Sequence, residues 1–147
     1  MKYVIVDIDG TISKVGDRLK YLQQEPKDWD SFYDHCDEDE PIKNILDLVF
    51  RLPYKIIYCS GRRESCRQKT ILWLNRQWLD YTRPILLRKD GDHRHDTEVK
   101  PELLDEYMKL HNITKDDIAF ILEDRTSMVK KWRELGYTCL QVADGDF

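Results

Sequence analysis

The segment Tyr3-Val4-Ile5-Val6-Asp7-Ile8-Asp9-Gly10-Thr11 decides the fold of this chain of 147 residues. Residues 3–7 form a continuous apolar run that ends on an acid, which is typical of a strand buried on both faces of a parallel sheet. Side chains alternate along a strand, but Gly10 lets the chain turn, so that Asp7 and Asp9 can reach one site. The segment therefore predicts a buried strand that delivers both carboxylates at its end.

Two later segments repeat this pattern of an apolar run followed by polar residues. Residues 54–59 lead to Ser60-Gly61-Arg62, and residues 118–122 lead to Glu123-Asp124. Further short strands are predicted at residues 85–87 and 137–142. Because parallel strands end at the same edge of a sheet, we expect the polar residues that follow them to lie together.

Helical patterns alternate with these strands. Apolar residues recur at helical spacing in segments 41–51, 64–79, 101–111 and 126–135, with Pro41 and Pro101 at first-turn positions and Gly136 as a stop signal. The expected buried faces consist of Ile42, Ile45, Leu46 and Val49; Ile71, Leu72, Leu74, Trp78 and Leu79; Leu103, Leu104, Tyr107, Met108 and Leu110; and Met128, Val129, Trp132 and Leu135. This alternation predicts an α/β fold, a Rossmann-like open parallel sheet with helices on both faces.

Residues 12–40 are too many for an ordinary loop between a strand and a helix. Their apolar residues predict one or two short helices above the carboxyl edge of the sheet. We therefore expect one domain, residues 1–147, with a small helical cap-like insertion at about 12–40. Tyr21, Trp29 and Tyr33 are candidates for a substrate wall, and a small packed lid is the alternative.

The charge balance limits the function classes. The chain has 24 basic and 28 acidic residues, which gives a net charge of −4. A protein that coats nucleic acid normally has a basic excess, so this is excluded as the main task. A small site for one end of a nucleic acid remains compatible with this balance.

Cysteine spacing and hydropathy indicate the compartment. Cys36, Cys59, Cys66 and Cys139 form no CxxC pair, so we expect buried free thiols in a reducing environment. No signal peptide precedes Asp7, and no segment approaches the roughly 20 apolar residues of a membrane span. We therefore expect a soluble, cytoplasmic protein without membrane contact.

The acids at the strand ends predict a metal site with phosphate chemistry. Carboxylates from Asp7, Asp9 and Asp124 would form a hard oxygen site suited to Mg²⁺. A metal there would neutralise a phosphate, so Asp7 could attack phosphorus while Asp9 acts as general acid and then as general base. Glu123 beside Asp124 would repel it unless a cation binds. The alternative for each acid is a turn residue or a helix cap.

Phosphate contacts are expected from three further positions. The hydroxyl of Ser60 and the backbone at Gly61 would form an anion site at a helix start, with the Arg62 guanidinium adding a fork. Lys100 lies before Pro101, where a cation at a helix start indicates a nearby anion. The alternatives are an ordinary turn with an N-cap and a solvated lysine. In the loop 90–96, a His-x-His pattern is interpreted as solvated rather than as a second metal site.

In this order, the motifs Asp7-Ile8-Asp9-Gly10-Thr11, Ser60, Lys100 and Glu123-Asp124 closely resemble the haloacid dehalogenase superfamily of phosphatases. The resemblance implies Asp7 as nucleophile, Asp9 as general acid/base, and Ser60 and Lys100 as phosphate contacts, with Thr11 beside the substrate. It also implies Mg²⁺ held by Asp7, the Asp9 backbone carbonyl and Asp124, with Glu123 as a direct or water-mediated ligand.

A narrower likeness is to the 3′-phosphatase domain of phage-type polynucleotide kinase/phosphatases. It covers Ser60-Gly61-Arg62, the stretch from Gly91 to Lys100, Glu123-Asp124-Arg125-Thr126, and the ending Gln141 to Phe147. It implies that Arg18, Gly61, Arg62 and Asp96 line the substrate site, and it implies a phage origin in a bacterial host. No Gly-x4-Gly-Lys-Ser/Thr motif occurs, so we expect any kinase or ligase step to come from a separate partner.

These observations favour an enzyme that removes a terminal phosphate from a nucleic acid or a nucleotide, with the 3′-phosphate of a nucleic acid in end repair as the leading candidate. The alternative within the same chemistry is a phosphatase for a mononucleotide or another small phosphorylated metabolite, which the net charge of −4 favours. A phosphate-sensing module without turnover is the alternative from another class.

Overall fold

The computed structural model describes residues 1–78 and 83–147. Its strands are β1 (Tyr3–Val6), β2 (Ser13–Lys14), β3 (Glu40–Pro41), β4 (Lys55–Arg63), β5 (Ile85–Arg88), β6 (Ile118–Glu123) and β7 (Cys139–Gln141). Its helices are α1 (Trp29–Asp34), α2 (Lys43–Arg51), α3 (Arg67–Trp78), α4 (Asp96–Leu110) and α5 (Thr126–Glu134).

The described residues contain a parallel sheet of five strands in the order β5-β4-β1-β6-β7. Strand β1 is central, because β4 and β5 lie on one side of it and β6 and β7, which come later in the chain, lie on the other. Ligands in such sheets bind beyond the carboxyl ends of the strands, near the point where the order reverses. The residues that follow β1 therefore occupy the position where a site is expected.

Alternate residues of β1 face two separate helical layers. Val4 and Val6 are fully buried with apolar residues of α2 and α3, and Ile5 is 1% exposed among those of α4 and α5. Covering both faces of the sheet explains why this strand is apolar at every position. The predicted α/β sheet with helices on both faces is confirmed.

Strand β4 continues past its predicted end at residue 59. It runs to Arg63, with a register shift between Cys59 and Arg63, and a 3₁₀ turn at Glu64–Cys66 separates it from α3. Ser60 and Gly61 therefore lie in an irregular strand end, and the expectation that they start a helix was wrong. The backbone there follows the sheet because neighbouring strand contacts outweigh the turn preference of Ser-Gly.

Helix α4 starts at Asp96, five residues before the predicted start at Pro101. His95 caps it, its Nδ1 accepting from the Thr97 N–H at 3.2 Å. Lys100 is therefore within the helix and 3% exposed, so the surface-lysine alternative was wrong. The helix start was predicted too late because the prediction placed Pro101 in the first turn, whereas acids such as Asp96 and Glu98 also occur in a first turn.

Several predicted core positions also differ. Leu72 and Leu110, which were expected on buried helix faces, are 57% and 78% exposed. Pro41 belongs to β3, and α2 begins at Lys43. The predictions for Trp78 and Leu79 concern side chains outside those that the structure describes.

The segment between β1 and α2 forms a small unit above the sheet edge. Strands β2 and β3 pair antiparallel at its base, and between them lie the 3₁₀ turns Gly16–Tyr21 and Cys36–Glu38 together with α1. The short helices were predicted; the closing strand pair was not, because each strand has only two residues. Its role as a cap stays a prediction.

The cysteines are buried and free, as predicted, at Cys36, Cys59, Cys66 and Cys139. Among the described residues, no helix combines the length and the apolar character that crossing a membrane requires.

Candidate active site

Asp7 lies directly after β1 and is held from both sides. The Lys100 ammonium donates to its Oδ1 at 2.7 Å, and the Thr11 hydroxyl donates to its Oδ2 at 3.0 Å. Asp7 is 5% exposed, and Thr11 is fully buried. One carboxylate with both oxygens bound at a strand end has a fixed direction, which is what a nucleophile requires.

Three buried acids, Asp7, Glu123 and Asp124, form a cluster whose oxygens lie within 4.8 Å of one another. Lys100 is the cation that reaches Glu123 as well, at 2.9 Å from Oε2. Burial, and then the Asp7 charge, raise the pKa of Asp124 to about 7 and the pKa of Glu123 well above its ordinary value. One ammonium does not neutralise three carboxylates, so protons are retained on this cluster in the absence of a metal. The hard oxygen donors fit a divalent metal ion that would replace these protons.

Gly10 makes room for this cluster. Its φ is +84°, and a Cβ on it would lie 2.0 Å from Asp124 Oδ2 and 2.6 Å from its Cγ. The position thus requires glycine for its backbone angle and for the approach of the Asp124 carboxylate. Gly10 was expected to permit a turn. The space that it leaves for Asp124, the residue after β6, was not expected.

The Asp9 carboxylate lies outside the acidic cluster and contacts two arginines. Its Oδ1 accepts from Arg18 Nη2 at 2.6 Å and from Arg62 Nη2 at 2.7 Å. Burial disfavours the charged form, but the Arg62 and Arg18 charges outweigh it, so the pKa of Asp9 lies well below its ordinary value. Its carboxylate is not part of the acidic cluster, so it does not join those of Asp7 and Asp124 as the sequence pattern suggested. That the Asp9 backbone carbonyl binds a metal stays a prediction.

A further acid, Asp39, completes this ion-pair network. It accepts from Arg18 Nε at 2.7 Å and from the Ser13 hydroxyl at 2.6 Å, and its side chain is 3% exposed. Sequence reasoning missed it, because Asp39 belongs to an acidic stretch that looks like a solvated helix approach. Pairing of a buried Arg18 with two acids offsets the cost of removing its charge from water.

Arg62 is fully buried, and each nitrogen of its guanidinium group donates a hydrogen bond. It donates to both Asp9 oxygens, to Thr70 Oγ1 at 3.0 Å and to the Cys36 carbonyl at 3.4 Å. Ser60 is 1% exposed, and its Oγ accepts from the Arg62 N–H at 3.1 Å. The predicted substrate contacts Arg18 and Arg62 therefore meet at Asp9, with their guanidinium groups bound to protein acids.

Asp96, at the start of α4, lies between two arginines on the other side of the site. It accepts from Arg88 Nη2 and, at 3.3 Å, from Arg125 Nη1. A Cβ on Gly61 would come within 2.5 Å of Asp96 Oδ1, so glycine is needed for this approach. Arg88, the last residue of β5, is 8% exposed, and its Nε donates to the Gly61 carbonyl at 2.7 Å. Its position at the end of β5 was the signal that could have found it.

The chain terminus holds the Glu123-Asp124 loop in place. Gln141 Nε2 donates to the Asp124 carbonyl at 3.0 Å, and the Thr126 N–H donates to the Gly145 carbonyl at 2.9 Å. A Cβ on Gly145 would lie 2.1 Å from the Asp124 carbonyl oxygen. This close packing fixes the backbone from which Asp124 reaches the acidic cluster.

The sheet edge thus brings together the sequence candidates in two groups. Asp7, Thr11, Lys100, Glu123 and Asp124 surround the acidic cluster, and Asp9, Arg18 and Arg62 form the ion-pair network with Asp39 beside it. Ser60, Gly61 and Asp96 lie around the irregular end of β4. Among the described residues, His93 and His95 belong to no cluster of potential metal ligands. The catalytic and binding roles of all these residues stay predictions.

The central strand, the acid-lined edge and the strand order define the class: this is a haloacid dehalogenase-type hydrolase fold. A haloacid dehalogenase-like hydrolase from Streptococcus pneumoniae superposes with a TM-score of 0.67 at 15% identity, over 96% of this chain and 84% of that chain. At this identity the likeness establishes the shared fold alone.

The particular family follows from the sequence match. The profile described as the polynucleotide kinase PNKP phosphatase domain matches residues 1–147, so the chain belongs to that family and is a phosphatase. The predicted resemblance is confirmed.

Two relatives are larger proteins. A chain of the Pnkp1/Rnl/Hen1 RNA repair complex is 32% identical with a TM-score of 0.77, over 99% of this chain and 43% of that chain. A putative bifunctional polynucleotide kinase/RNA ligase of Autographa californica nuclear polyhedrosis virus is 24% identical over 139 residues, which are 90% of this chain and 18% of the relative. This chain therefore spans less than half of either relative.

Proposed function

We propose that this protein is a Mg²⁺-dependent polynucleotide 3′-phosphatase that acts in nucleic-acid end repair through an aspartyl-phosphate on Asp7. The observation that carries the proposal is the buried Asp7 carboxylate, fixed by Lys100 at 2.7 Å beside the acids Glu123 and Asp124. Lys100 and a metal on these acids would neutralise both the nucleophile and the phosphate. Without that neutralisation, one anion would repel the other.

Asp7, the Asp9 backbone carbonyl and Asp124 would hold the metal, with Glu123 as a ligand or as a partner of a bound water. The metal would supply charge neutralisation and orientation of the phosphate. Lys100 would contact the same phosphate, together with Ser60 and the Gly61 backbone.

The proposed reaction has two steps. Asp7 forms a bond to phosphorus as the bond to the ester oxygen breaks, and Asp9 gives its proton to that oxygen. Asp9 then takes a proton from water that attacks the aspartyl-phosphate, which releases phosphate and restores Asp7. The first step needs a proton on Asp9, so Arg18 and Arg62 must release this carboxylate when substrate binds.

The substrate class is supported by the relatives, whose descriptions name RNA repair and polynucleotide kinase/RNA ligase. Arg18, Arg62, Asp96 and Thr11 would line the site that receives the nucleic-acid end, below the insertion at about 12–40 acting as a cap. A kinase or ligase supplied by another chain or another segment would act on the resulting hydroxyl end.

A direct comparison of substrates tests the proposal. Phosphate release is measured from a 3′-phosphorylated DNA or RNA oligonucleotide, a 3′-mononucleotide and an aryl phosphate, each with Mg²⁺ and with a chelator. We expect the highest kcat/KM for an oligonucleotide and loss of release without the metal. Preference for the small esters would support a metabolite phosphatase, which the net charge of −4 favours. Phosphate release from none of the substrates would contradict the proposal.

A further inference from the structure

Helix α1 carries an aromatic cluster that the proposed reaction does not use. The rings of Trp29 and Tyr33 stack with centroids 5.9 Å apart at 24°, and Trp29 meets Phe32 edge-on at 5.7 Å. Phe32 is 7% exposed and anchors the cluster, whereas Trp29 is 41% exposed. A large π surface is thus held rigid from below while part of it faces solvent.

The cluster lies beside the active site. The Tyr33 hydroxyl donates to the Gly61 carbonyl at 3.3 Å, next to Ser60 and Arg62, and burial raises the pKa of Tyr33 to about 12. The Phe32 carbonyl accepts from Arg18 Nη1 at 3.2 Å. The adjacent residues Phe32 and Tyr33 are therefore hydrogen-bonded to Arg18, which pairs with Asp9, and to Gly61.

Cations accompany the rings without giving the surface a basic excess. Arg63 lies over the Tyr33 ring at 4.8 Å, and Lys27 lies 6.0 Å from the Trp29 centroid. Arg63 also pairs with Asp30 at 2.6 Å, so its charge is compensated locally. A surface of this kind gains more from contact with a π face than from long-range attraction of phosphates.

We infer that the Trp29–Tyr33 stack is the binding platform for the nucleobase of the phosphorylated terminal nucleotide. This inference rests on the proposed function, because it requires a phosphate at Asp7 whose nucleoside would extend toward α1, where Tyr33 meets the Gly61 carbonyl. Base stacking on an aromatic ring tolerates every base and needs no charge excess. It therefore gives a protein of net charge −4 a way to hold a nucleic-acid end.

The test separates the base from the phosphate. Two short oligonucleotides with a 3′-phosphate are compared, one with a normal terminal base and one with an abasic terminal nucleotide. Equilibrium binding is followed by fluorescence anisotropy of a 5′ label, and hydrolysis is followed in parallel. We expect Trp29→Ala to weaken binding of the normal end by about 5- to 100-fold and to leave the abasic end unchanged.

Trp29→Phe should restore most of the affinity, because it keeps a π face. Phe50→Ala is the matched control: Phe50 is 63% exposed on α2, which ends at the opposite edge of the sheet, and the change should affect neither ligand. Equal binding of both oligonucleotides by the unaltered protein, or an equal loss for both in Trp29→Ala, would overturn the inference. The binding measurement tests the stacking inference even if neither oligonucleotide is hydrolysed. Absence of hydrolysis would count against the proposed function alone.

Discussion

The Lys100 ammonium lies 2.7 Å from Asp7 Oδ1, and the two side chains are 3% and 6% exposed. Burial lowers the pKa of Lys100, but the Asp7 and Glu123 charges outweigh this and raise it well above the ordinary value. A permanent cation thus faces the proposed nucleophile from within helix α4. Its charge makes the acidic cluster tolerable in a buried position.

Asp7→Asn should abolish turnover and leave the fold intact. The amide has the shape of the carboxylate but is a poor nucleophile, so we expect a loss of about 10,000-fold or more in kcat. Phosphate release and a thermal melt measure the two effects. Asp47→Asn, on the exposed side of α2, is the control and should behave as the unaltered protein. Residual turnover within tenfold of normal would remove Asp7 from its assigned role.

Asp9→Asn should lower kcat by about 100- to 10,000-fold, because proton transfer to the leaving oxygen and from water is lost. With an aryl phosphate whose leaving group needs no proton, the first step should persist, and the aspartyl-phosphate should accumulate as a burst. Thr70→Val removes a hydrogen bond from Arg62 without touching Asp9 and is the control. Equal losses on all substrates, without a burst, would indicate a structural role for Asp9.

Lys100→Met should destabilise the metal-free protein by about 3–5 kcal/mol, since it leaves buried carboxylates without their cation. Mg²⁺ should recover part of this loss, because a bound cation replaces the missing charge. Urea unfolding with and without the metal measures both quantities. Lys130→Met on the exposed side of α5 should change the stability little. An unaltered metal effect in Lys100→Met would argue against a shared electrostatic site.

Metal affinity should rise with pH through neutrality. The pKa of Asp124 is about 7 in the metal-free state, raised by burial and by Asp7, so a proton competes with the metal for this carboxylate. Below that pKa, the affinity should fall by up to about tenfold per pH unit. Calorimetric titration with Mg²⁺ at several pH values tests this. Asp124→Asn should remove the binding, and a flat pH profile in the unaltered protein would contradict the assignment.

Gly10→Ala should disrupt the metal site, whereas Gly91→Ala should not. The two glycines have nearly the same φ, +84° and +85°, so both changes carry a similar backbone cost of about 1–2 kcal/mol. Only at Gly10 would the new Cβ collide with the Asp124 carboxylate; at Gly91 nothing lies within 4 Å. Stability and Mg²⁺ binding of the two variants are compared. Equal effects would show that the backbone angle alone matters.

The sequence by itself determined the sheet and the acids at its edge. Apolar runs that end at Asp7, at Ser60 and at Glu123 depend on local composition, because strands covered by helices on both faces favour apolar residues along their buried length. The order of these runs was enough to predict the α/β fold and to bring Asp7 and Asp124 into one site, and the family resemblance added Lys100.

Only the tertiary structure decided the partners of these residues. The pairing of Arg18 with Asp39, the position of Asp9 between two arginines, and the space that Gly10 leaves for Asp124 join segments far apart in the chain. The local sequence around an acid such as Asp39 is the same whether the acid is solvated or paired with a buried arginine. Hydrophobic periodicity reports which face is buried, but not which charges meet there, because that depends on how the elements pack.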